Sequence, residues 1–546
     1  MSEPTTLCEL FDLACSEFGQ MPAFTCMGQT LSYDDIHHLS LEFASYLQHH
    51  TSLKPGDRIA VQMPNLLQYP VVVFGALKAG LVVVNTNPLY TEREIEHQLN
   101  DAGAKAIVLL ANIGAAADHI LANTSIELAI VTEVADLHPP LKSQLINFAA
   151  KYLKRLVPKL HFPKQITLKQ ALKLGAKQAL HPVAVKPEHI AVLQYTGGTT
   201  GVAKGAMLSH RNLASNRAQI VEHLADVMIW GEEVYVAPLP LYHIYAFNFH
   251  CLSLFSRGAR NILIPNPRDI PAFVKALKHE SITGFVGLDT LFKSLCHNDA
   301  FCQLDFSRLR TTSSGGMALT RDTAELWHKV TGCMANEGYG LTETSPVVSA
   351  NLARDIRPGT VGLPLPHTEI KTIDDQGSPT AVGEPGELCV RGPQVMEGYW
   401  QRPDETAKVL QPDGWFHTGD IATIDAEGYI RIVDRKKDMI VVSGFNVYPN
   451  EVEEVVVSHP KVREAAVIGV PDEKSGEAVK VYVVAKDSSL TKKELIAYCR
   501  EQLTAYKIPR IVEFCTELPK SNVGKVLRKE LRDAHARDQS SANTAS

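Results

Sequence analysis

The chain has 546 residues, 45% of them hydrophobic and 21% charged, with a formal net charge of −6. That length exceeds what one hydrophobic core can organise and calls for about three or four structural units, while the acidic balance argues against general nucleic-acid binding. The ten cysteines stand singly, with no CxxC and no zinc spacing, which excludes a zinc finger or disulfide framework and points to a reducing compartment.

From Thr5 to His50 helical stretches flank the short strand-like run Ala23-Phe-Thr-Cys-Met27. Regular alternation follows. Arg58–Gln62, Leu81–Asn85, Ala106–Leu110 and Leu128–Thr132 are short apolar runs separated by helical segments such as Thr91–Leu99, the rhythm of βα units around a parallel sheet. It returns at Val234–Ala237, Arg260–Ile264, Gly284–Gly287 and Leu309–Thr312, which predicts a second such sheet in the same large body. Between Gly362 and Ile432 the composition shifts to Gly, Pro and short β-branched runs, including Glu387–Arg391 and Tyr429–Val433, so a strand-rich subdomain is expected there. The fold class is therefore α/β, with a small α/β unit after Asp434. The polar, small-residue end from Gln539 to Ser546 reads as a disordered tail.

The start, Met1-Ser-Glu-Pro-Thr-Thr, has no basic or apolar leader segment. The longest apolar stretch, Tyr69 to Val84, is broken by Pro70, Gly75, Lys78 and Gly80, so a cytoplasmic, non-spanning chain is the expectation. One region breaks the charge balance. Leu137 to Pro187 holds no acid but carries Lys142, Lys151, Lys154, Arg155, Lys159, Lys164, Lys169, Lys173, Lys177 and Lys186. Within it Leu145, Phe148, Tyr152, Leu156 and Leu160 recur at helical spacing. Such a helix can lie on an anionic membrane, on the inner face of the cell membrane for a cytoplasmic chain, or pack its apolar stripe against the body. Periodicity leaves both open.

Residues 195 to 206 read Tyr-Thr-Gly-Gly-Thr-Thr-Gly-Val-Ala-Lys-Gly-Ala, directly after the apolar run Ile190–Gln194 and before the helix-like Asn212–Gln219. Gly197, Gly198, Gly201 and Gly205 allow backbone N–H groups to close on an anion, Thr196, Thr199 and Thr200 add hydroxyls, and Lys204 adds charge. The loop is not a Walker A motif, because Lys204 precedes Gly205 and Ala206. A flexible linker is disfavoured between a buried strand and a helix, so a nucleoside triphosphate handled outside the P-loop fold is implied.

Four further constellations follow. In Glu337-Gly-Tyr-Gly-Leu-Thr-Glu343, Glu343 with a cradle hydroxyl offers hard oxygens to a magnesium ion, and Tyr339 an aromatic face to a purine. Trp415-Phe-His-Thr-Gly-Asp420 places a carboxylate after a turn, suited to ribose hydroxyls, although alone Asp420 reads as a turn cap. Asp434-Arg-Lys-Lys-Asp-Met-Ile-Val-Val-Ser-Gly444 is a charged switch between strand-like runs, and Pro519-Lys-Ser-Asn-Val-Gly-Lys525 a second charged turn.

Together, and in this order, these motifs resemble the acyl-adenylate-forming superfamily over nearly the whole chain. The segments Leu239–Phe247, Val441–Glu451 and Leu518–Arg528 look most like bacterial long-chain fatty acid–CoA ligases. The resemblance implies ATP and coenzyme A as co-substrates, a fatty acid as acceptor of the adenylate, and Mg2+. It implies that Tyr195 to Gly205, Val202 and Ala203 included, hold the phosphates, and that Thr196 and Glu343 hold the metal. His243 would approach the acyl carboxylate, Thr342 the α-phosphate; Gly315, Gly316, Glu337, Gly338, Tyr339 and Gly340 would frame the adenine; Asp420 and Arg435 would hold the ribose. Lys437 falls at the family's hinge, Gly444 on the pantetheine path where a side chain would block it, and Lys525 at the lysine that enters the adenylation site. Tyr245, Phe247, Val286, Gly287, Met317 and Val347 would line the acyl pocket, without giving its length.

The implied domains are 1–434 for adenylation, 435–437 for the hinge, 438–536 for a mobile C-terminal domain and 537–546 for the tail. An aryl- or shorter-chain-acid ligase would share every phosphate-handling residue, and a silent scaffold of this fold is disfavoured by the presence of Lys525, Asp420, Arg435 and Glu343. Oligomeric state stays open, a homodimer among the options.

Overall fold

The computed structural model describes residues 3–162, 164–196, 203–472, 474–520 and 526–544, with backbone alone for 539–544. It divides into two compact units, Met1–Glu369 with Val390–Phe416, and Ile370–Cys389 with His417–Ser546. Among the described residues no helix is long and apolar enough to cross a membrane.

The first unit contains two sheets of the expected kind. One orders its strands Gln165–Thr167, Leu128–Thr132, Ala104–Leu110, Arg58–Gln62, Val82–Asn85, Ile190–Thr196 and Lys204–Ser209, parallel except for the last, which turns back as a hairpin. Strands such as Val82–Asn85 are buried on both faces because helices cover the sheet, which is why they read as unbroken apolar runs. Helix Glu92–Ala102 shows how local chemistry sets the ends: Thr91 and Glu94 form a capping box, and Gly103 closes it in the left-handed conformation.

The second sheet runs Leu363–Pro364, Val347–Ala350, Ala335–Gly340, Thr311–Ser314, Gly284–Gly287, Val234–Ala237, Arg260–Leu263, Pro22–Cys26 and Gln29–Ser32. Its core gathers Phe285, Phe292, Phe301 and Trp327, with the Trp327 indole donating to Thr312 Oγ1 at 3.1 Å. The strand expected at Leu309–Thr312 lies two residues later, in parallel register with Gly284–Gly287. That shift sets Gly315 and Gly316 directly off its carboxyl end.

The second unit holds most of a four-stranded sheet, Glu369–Ile373, Gly386–Arg391, Phe416–Ile424 and Ile430–Arg435, which is the strand-rich region expected from composition. It also holds a five-stranded sheet of Phe445–Val447, Ile440–Val442, Gly476–Ala485, Val462–Asp472 and Ile511–Phe514, flanked by Pro449–Val457, Lys492–Gln502 and Arg528–Thr544. The last helix runs through most of the segment that composition marks as a disordered tail.

Two local expectations are corrected. Trp415–Asp420 is not a turn, because Phe416–Ile424 is a continuous strand that absorbs Gly419 at φ +70. The apolar stripe from Leu145 to Leu160 is not one helix. Helix Pro140–Phe148 passes into a π-helical turn, Ala149–Leu153, and ends where Arg155 takes φ +51. Nor does its stripe pack on the body: Leu145, Phe148 and Tyr152 are exposed, and Ser143 and Asn147 face inward instead. Only Leu160 joins the core, beside Gly114.

Candidate active site

The hairpin that carries the glycine-rich loop leaves its strand at Thr196 and returns at Lys204, and these two residues are cross-strand partners. Gly197, Gly198, Thr199, Thr200, Gly201 and Val202 lie outside the described residues. At the base, Tyr195 pairs with Gly205, where an added Cβ would stand 3.0 Å from the Tyr195 ring, so Gly205 makes room for that ring as well as ending the loop. The ring is packed in the sheet's core, and its hydroxyl donates to Asp101 Oδ2 at 2.7 Å. Asp101 also receives the Arg402 guanidinium at 2.6 Å, and its carbonyl accepts from the Trp400 indole at 3.1 Å. Ala203 is fixed by its carbonyl, 3.2 Å from His97 Nε2.

Sequence reading missed the segment that completes this site. Residues 396–400 lie along the returning strand: Met207 N–H donates to Gly398 O at 2.8 Å, Glu397 N–H to Met207 O at 3.0 Å, Trp400 N–H to Gly205 O at 2.8 Å. Met396 N–H donates at 2.8 Å to the carbonyl of Glu343, in the turn Thr342–Thr344. Tyr399 is thereby held between two predicted site residues. Its hydroxyl donates to Glu343 Oε1 at 2.7 Å, and the Lys204 ammonium stands 4.6 Å above its ring. Burial first, then the Glu343 charge, pushes the Tyr399 phenol well above its ordinary value, so it stays a donor.

Lys204 Nζ also donates to Glu405 Oε2 at 2.8 Å, on the short helix Pro403–Val409. The Lys204 and Lys408 ammoniums hold the Glu405 carboxyl down at about 2. Glu405 thus occupies the cation assigned to the phosphates.

Gly287, Ser314 and Glu337 are neighbours across three parallel strands, which sets Gly287, Gly315–Met317 and Glu337–Gly340 along one carboxyl edge, where open α/β sheets bind ligands. Glu337 Oε1 accepts from Leu319 N–H at 3.1 Å, and burial pushes its carboxyl up to about 7, Asp289 adding to the rise. The half-buried Tyr245 ring lies against Gly315, 3.3 Å from where a Cβ would stand. His243 is exposed and caps the turn that carries Tyr245, whose N–H donates to Nδ1 at 3.3 Å. Phe247 and Val286 are fully buried, and Val347 is held by Asn216 through both backbone groups, at 2.8 and 3.0 Å.

In the second unit Asp420 and Arg435 are cross-strand partners, Arg435 Nε 3.5 Å from the buried carboxylate. Lys437 sits in the turn Lys436–Asp438. Partial burial of its ammonium, then the Arg435 charge, pushes it down to about 8. The residues around it are clamped from the helix Arg528–Thr544: Arg528 lies 3.6 Å from both Asp434 and Asp438, and Arg532 donates to Asp438 at 2.8 Å. Ser443 and Gly444 both have positive φ, +52 and +83, between the paired strands Ile440–Val442 and Phe445–Val447. This is a two-residue hairpin turn whose positive φ favours glycine or asparagine, and a Cβ on Gly444 would meet nothing within 4 Å. Lys525 lies outside them, between Lys520 and Val526, which pair with each other.

Among the described residues no three His, Cys, Asp or Glu side chains form a metal cluster. Thr196 and Glu343 offer two hard oxygens, and Lys204, the partner of Thr196, is separated from Glu343 by one tyrosine ring. That fits magnesium, which completes its shell with phosphate oxygens and water.

Residues 11–400 match the family described as AMP-binding enzyme, and residues 451–525 its AMP-binding enzyme C-terminal domain. The chain is 52% identical over 529 residues to a long-chain-fatty-acid–CoA ligase of Escherichia coli O157:H7, covering 97% of this chain and 94% of that one. It is 33% identical to a feruloyl-CoA synthase of an Amycolatopsis species, covering 92% and 94%. ATP-bound MatB from Rhodopseudomonas palustris superposes with a TM-score of 0.80 at 28% identity, covering 97% and 99%. The chain belongs to the AMP-binding enzyme family.

Proposed function

We propose that the chain is an ATP-dependent, AMP-forming fatty acid–CoA ligase with a preference for long-chain acids. The observation that carries the reading is the Lys204–Tyr399–Glu343 arrangement at the mouth of the Gly/Thr hairpin, which gathers a cation and a carboxylate for a triphosphate. The long-chain preference is supported by 52% identity to a ligase of that name against 33% to a feruloyl-CoA synthase.

In the first half-reaction the fatty carboxylate attacks the α-phosphorus in line, the bond to the bridging β-phosphate oxygen breaks, and pyrophosphate leaves. No general base is needed, because the acid is already ionised at neutral pH. Catalysis is charge neutralisation and positioning. Lys204 and the loop hydroxyls hold the triphosphate, Thr342 the α-phosphate, Lys525 the oxygens where charge develops, and Asp420 with Arg435 the ribose. A magnesium ion held by Thr196 and Glu343 would supply further neutralisation of the phosphate oxygens.

In the second half-reaction the coenzyme A thiolate attacks the acyl carbonyl and the C–O bond to AMP breaks. Lys525 would obstruct that approach, so a C-terminal domain beginning near Asp434 swings about Lys437 and Gly444 lines the pantetheine path. The Arg528 and Arg532 clamps on Asp434 and Asp438 either travel with the swing or break during it. The enzyme works in the cytoplasm, at the inner face of the membrane.

Pyrophosphate release and thioester formation, measured over acids of increasing chain length together with cinnamate-type acids, test the reading. Long-chain acids should give the highest kcat/KM, and both products should depend on ATP. Faster turnover of aromatic or short acids would replace it with the aryl- or short-chain-ligase reading, and no turnover of any acid with the scaffold reading.

A further inference from the structure

The helix Pro140–Phe148 and its π-turn Ala149–Leu153 are built inside out. A surface helix ordinarily turns its apolar stripe to the core. Here the inward face is polar. Asn147 Oδ1 accepts from Ala135 N–H at 3.0 Å and its amide donates to Asp136 Oδ1 at 3.2 Å, while Ser143 Oγ accepts from Lys169, whose ammonium also pairs with Asp136 at 3.2 Å. The outward face carries Leu141, Leu145, Phe148 and Tyr152, between 55% and 79% exposed, with the Phe148 and Tyr152 rings 4.9 Å apart. Leu153 and Leu156 extend the patch. Nothing else among the described residues concentrates large exposed hydrophobics this densely.

Charge identifies what covers it. Lys151, Lys154 and Arg155 are exposed beside the patch, in a stretch without one acidic residue from Leu137 to Pro187, and none of the three has an acidic partner among the described residues. A second copy packing this face symmetrically would set these cations against their own equivalents. An anionic bilayer offers the opposite sign and an apolar interior together. At a rise of about 1.5 Å per residue the segment is about 20 Å long, enough to lie in the headgroup plane and too short to span.

We infer that residues 140–156 are a lipid-docking surface, which inserts Leu141, Leu145, Phe148 and Tyr152 into the acyl boundary of an anionic bilayer while Lys151, Lys154 and Arg155 meet the headgroups. The inference rests on the fatty-acid reading for its purpose, since the substrate partitions into bilayers, but its test does not depend on turnover.

The full chain is mixed with phosphatidylcholine vesicles with and without phosphatidylglycerol, and pelleted at low and high salt. Wild type should pellet with the anionic vesicles. Each cation near an anionic leaflet strengthens partition by about fivefold, so Lys151→Glu with Lys154→Glu and Arg155→Glu, which remove three and add repulsion, should weaken binding by at least about a hundredfold at low salt. Leu145→Ser with Phe148→Ser and Tyr152→Ser should weaken it at least tenfold at every salt concentration, which a purely electrostatic contact would not do. Both variants change exposed side chains and should keep wild-type turnover of detergent-dispersed acid. The inference fails if wild type does not pellet, if the serine variant pellets like wild type, or if sedimentation velocity shows a wild-type dimer that the serine variant dissociates while neither binds vesicles. Vesicle binding without any ligase turnover would sink the proposed function and leave the surface standing.

Discussion

Tyr399 donates its hydroxyl to Glu343 Oε1 at 2.7 Å across 56 residues of chain, and its ring supports the Lys204 ammonium at 4.6 Å. One side chain therefore sets the geometry of both a carboxylate and a cation assigned to the nucleotide. Tyr399→Phe keeps the ring and removes the hydrogen bond. A bond to a charged group is worth about 1.5–3 kcal/mol, so adenylation should slow by about tenfold or more, with a raised magnesium requirement and a small drop in melting temperature. A magnesium titration that coincides with wild type would show that the hydroxyl does not position Glu343.

If Lys204 holds the triphosphate as proposed, Glu405 competes for it, since the ammonium cannot keep its 2.8 Å bond to this carboxylate and also turn fully to phosphate. Glu405→Gln should lower the KM for ATP by about two- to fivefold, the range of an exposed ion pair, with kcat little changed. A higher KM would mean that Glu405 holds Lys204 in its productive pose.

How far the sequence reveals this site depends on the kind of constraint. The βα rhythm and the strand-rich segment were legible, because buried parallel strands and composition leave local marks. Tyr399 and Glu405 were not: Met-Glu-Gly-Tyr-Trp-Gln-Arg-Pro-Asp-Glu has no period or spacing of its own, and only pairing with the strand after Lys204 gives it meaning. Asp420 was found with the wrong geometry, since Thr-Gly-Asp reads as a turn while its neighbours hold it in a strand. For the helix at Leu145, periodicity defined the apolar face but not its direction, which Asn147 and Ser143 decide through partners outside the helix, Ala135, Asp136 and Lys169.

Gly444 now carries two explanations that can be separated. Asparagine tolerates positive φ, so Gly444→Asn should preserve the Ile440–Phe445 hairpin and the melting temperature while adding a side chain. If the turn borders the pantetheine path, pyrophosphate release will persist and thioester formation will fall by about tenfold, as for a displaced reacting group. Two unimpaired half-reactions would leave the glycine with the turn alone.

For Lys525→Ala, the proposed charge contact to the developing oxyanion predicts a loss of about 100- to 1,000-fold in adenylation, with transfer from supplied acyl-adenylate largely intact. Equal losses in both steps would make Lys525 a structural residue.

Acid should weaken the first unit through two buried histidines. Burial holds both His210 and His250 down at about 4, His189 adding to the effect at His210. His210 Nδ1 accepts from Leu7 N–H at 3.2 Å, and His250 Nδ1–H donates to Asn261 Oδ1 at 2.8 Å while its Nε2 has no partner among the described residues. Both are neutral in the folded protein at pH 7. As pH falls below the unfolded value of about 6.5, the unfolded chain takes up protons that the folded chain refuses, so stability is full above that value and declines until the folded groups titrate near 4. By pH 5 each histidine should have removed about 2 kcal/mol. Urea unfolding of wild type and His250→Gln at pH 7, 6 and 5 isolates one of them: the variant, whatever its stability at pH 7, should lose less on acidification, and parallel losses would show that His250 already binds its proton in the folded protein.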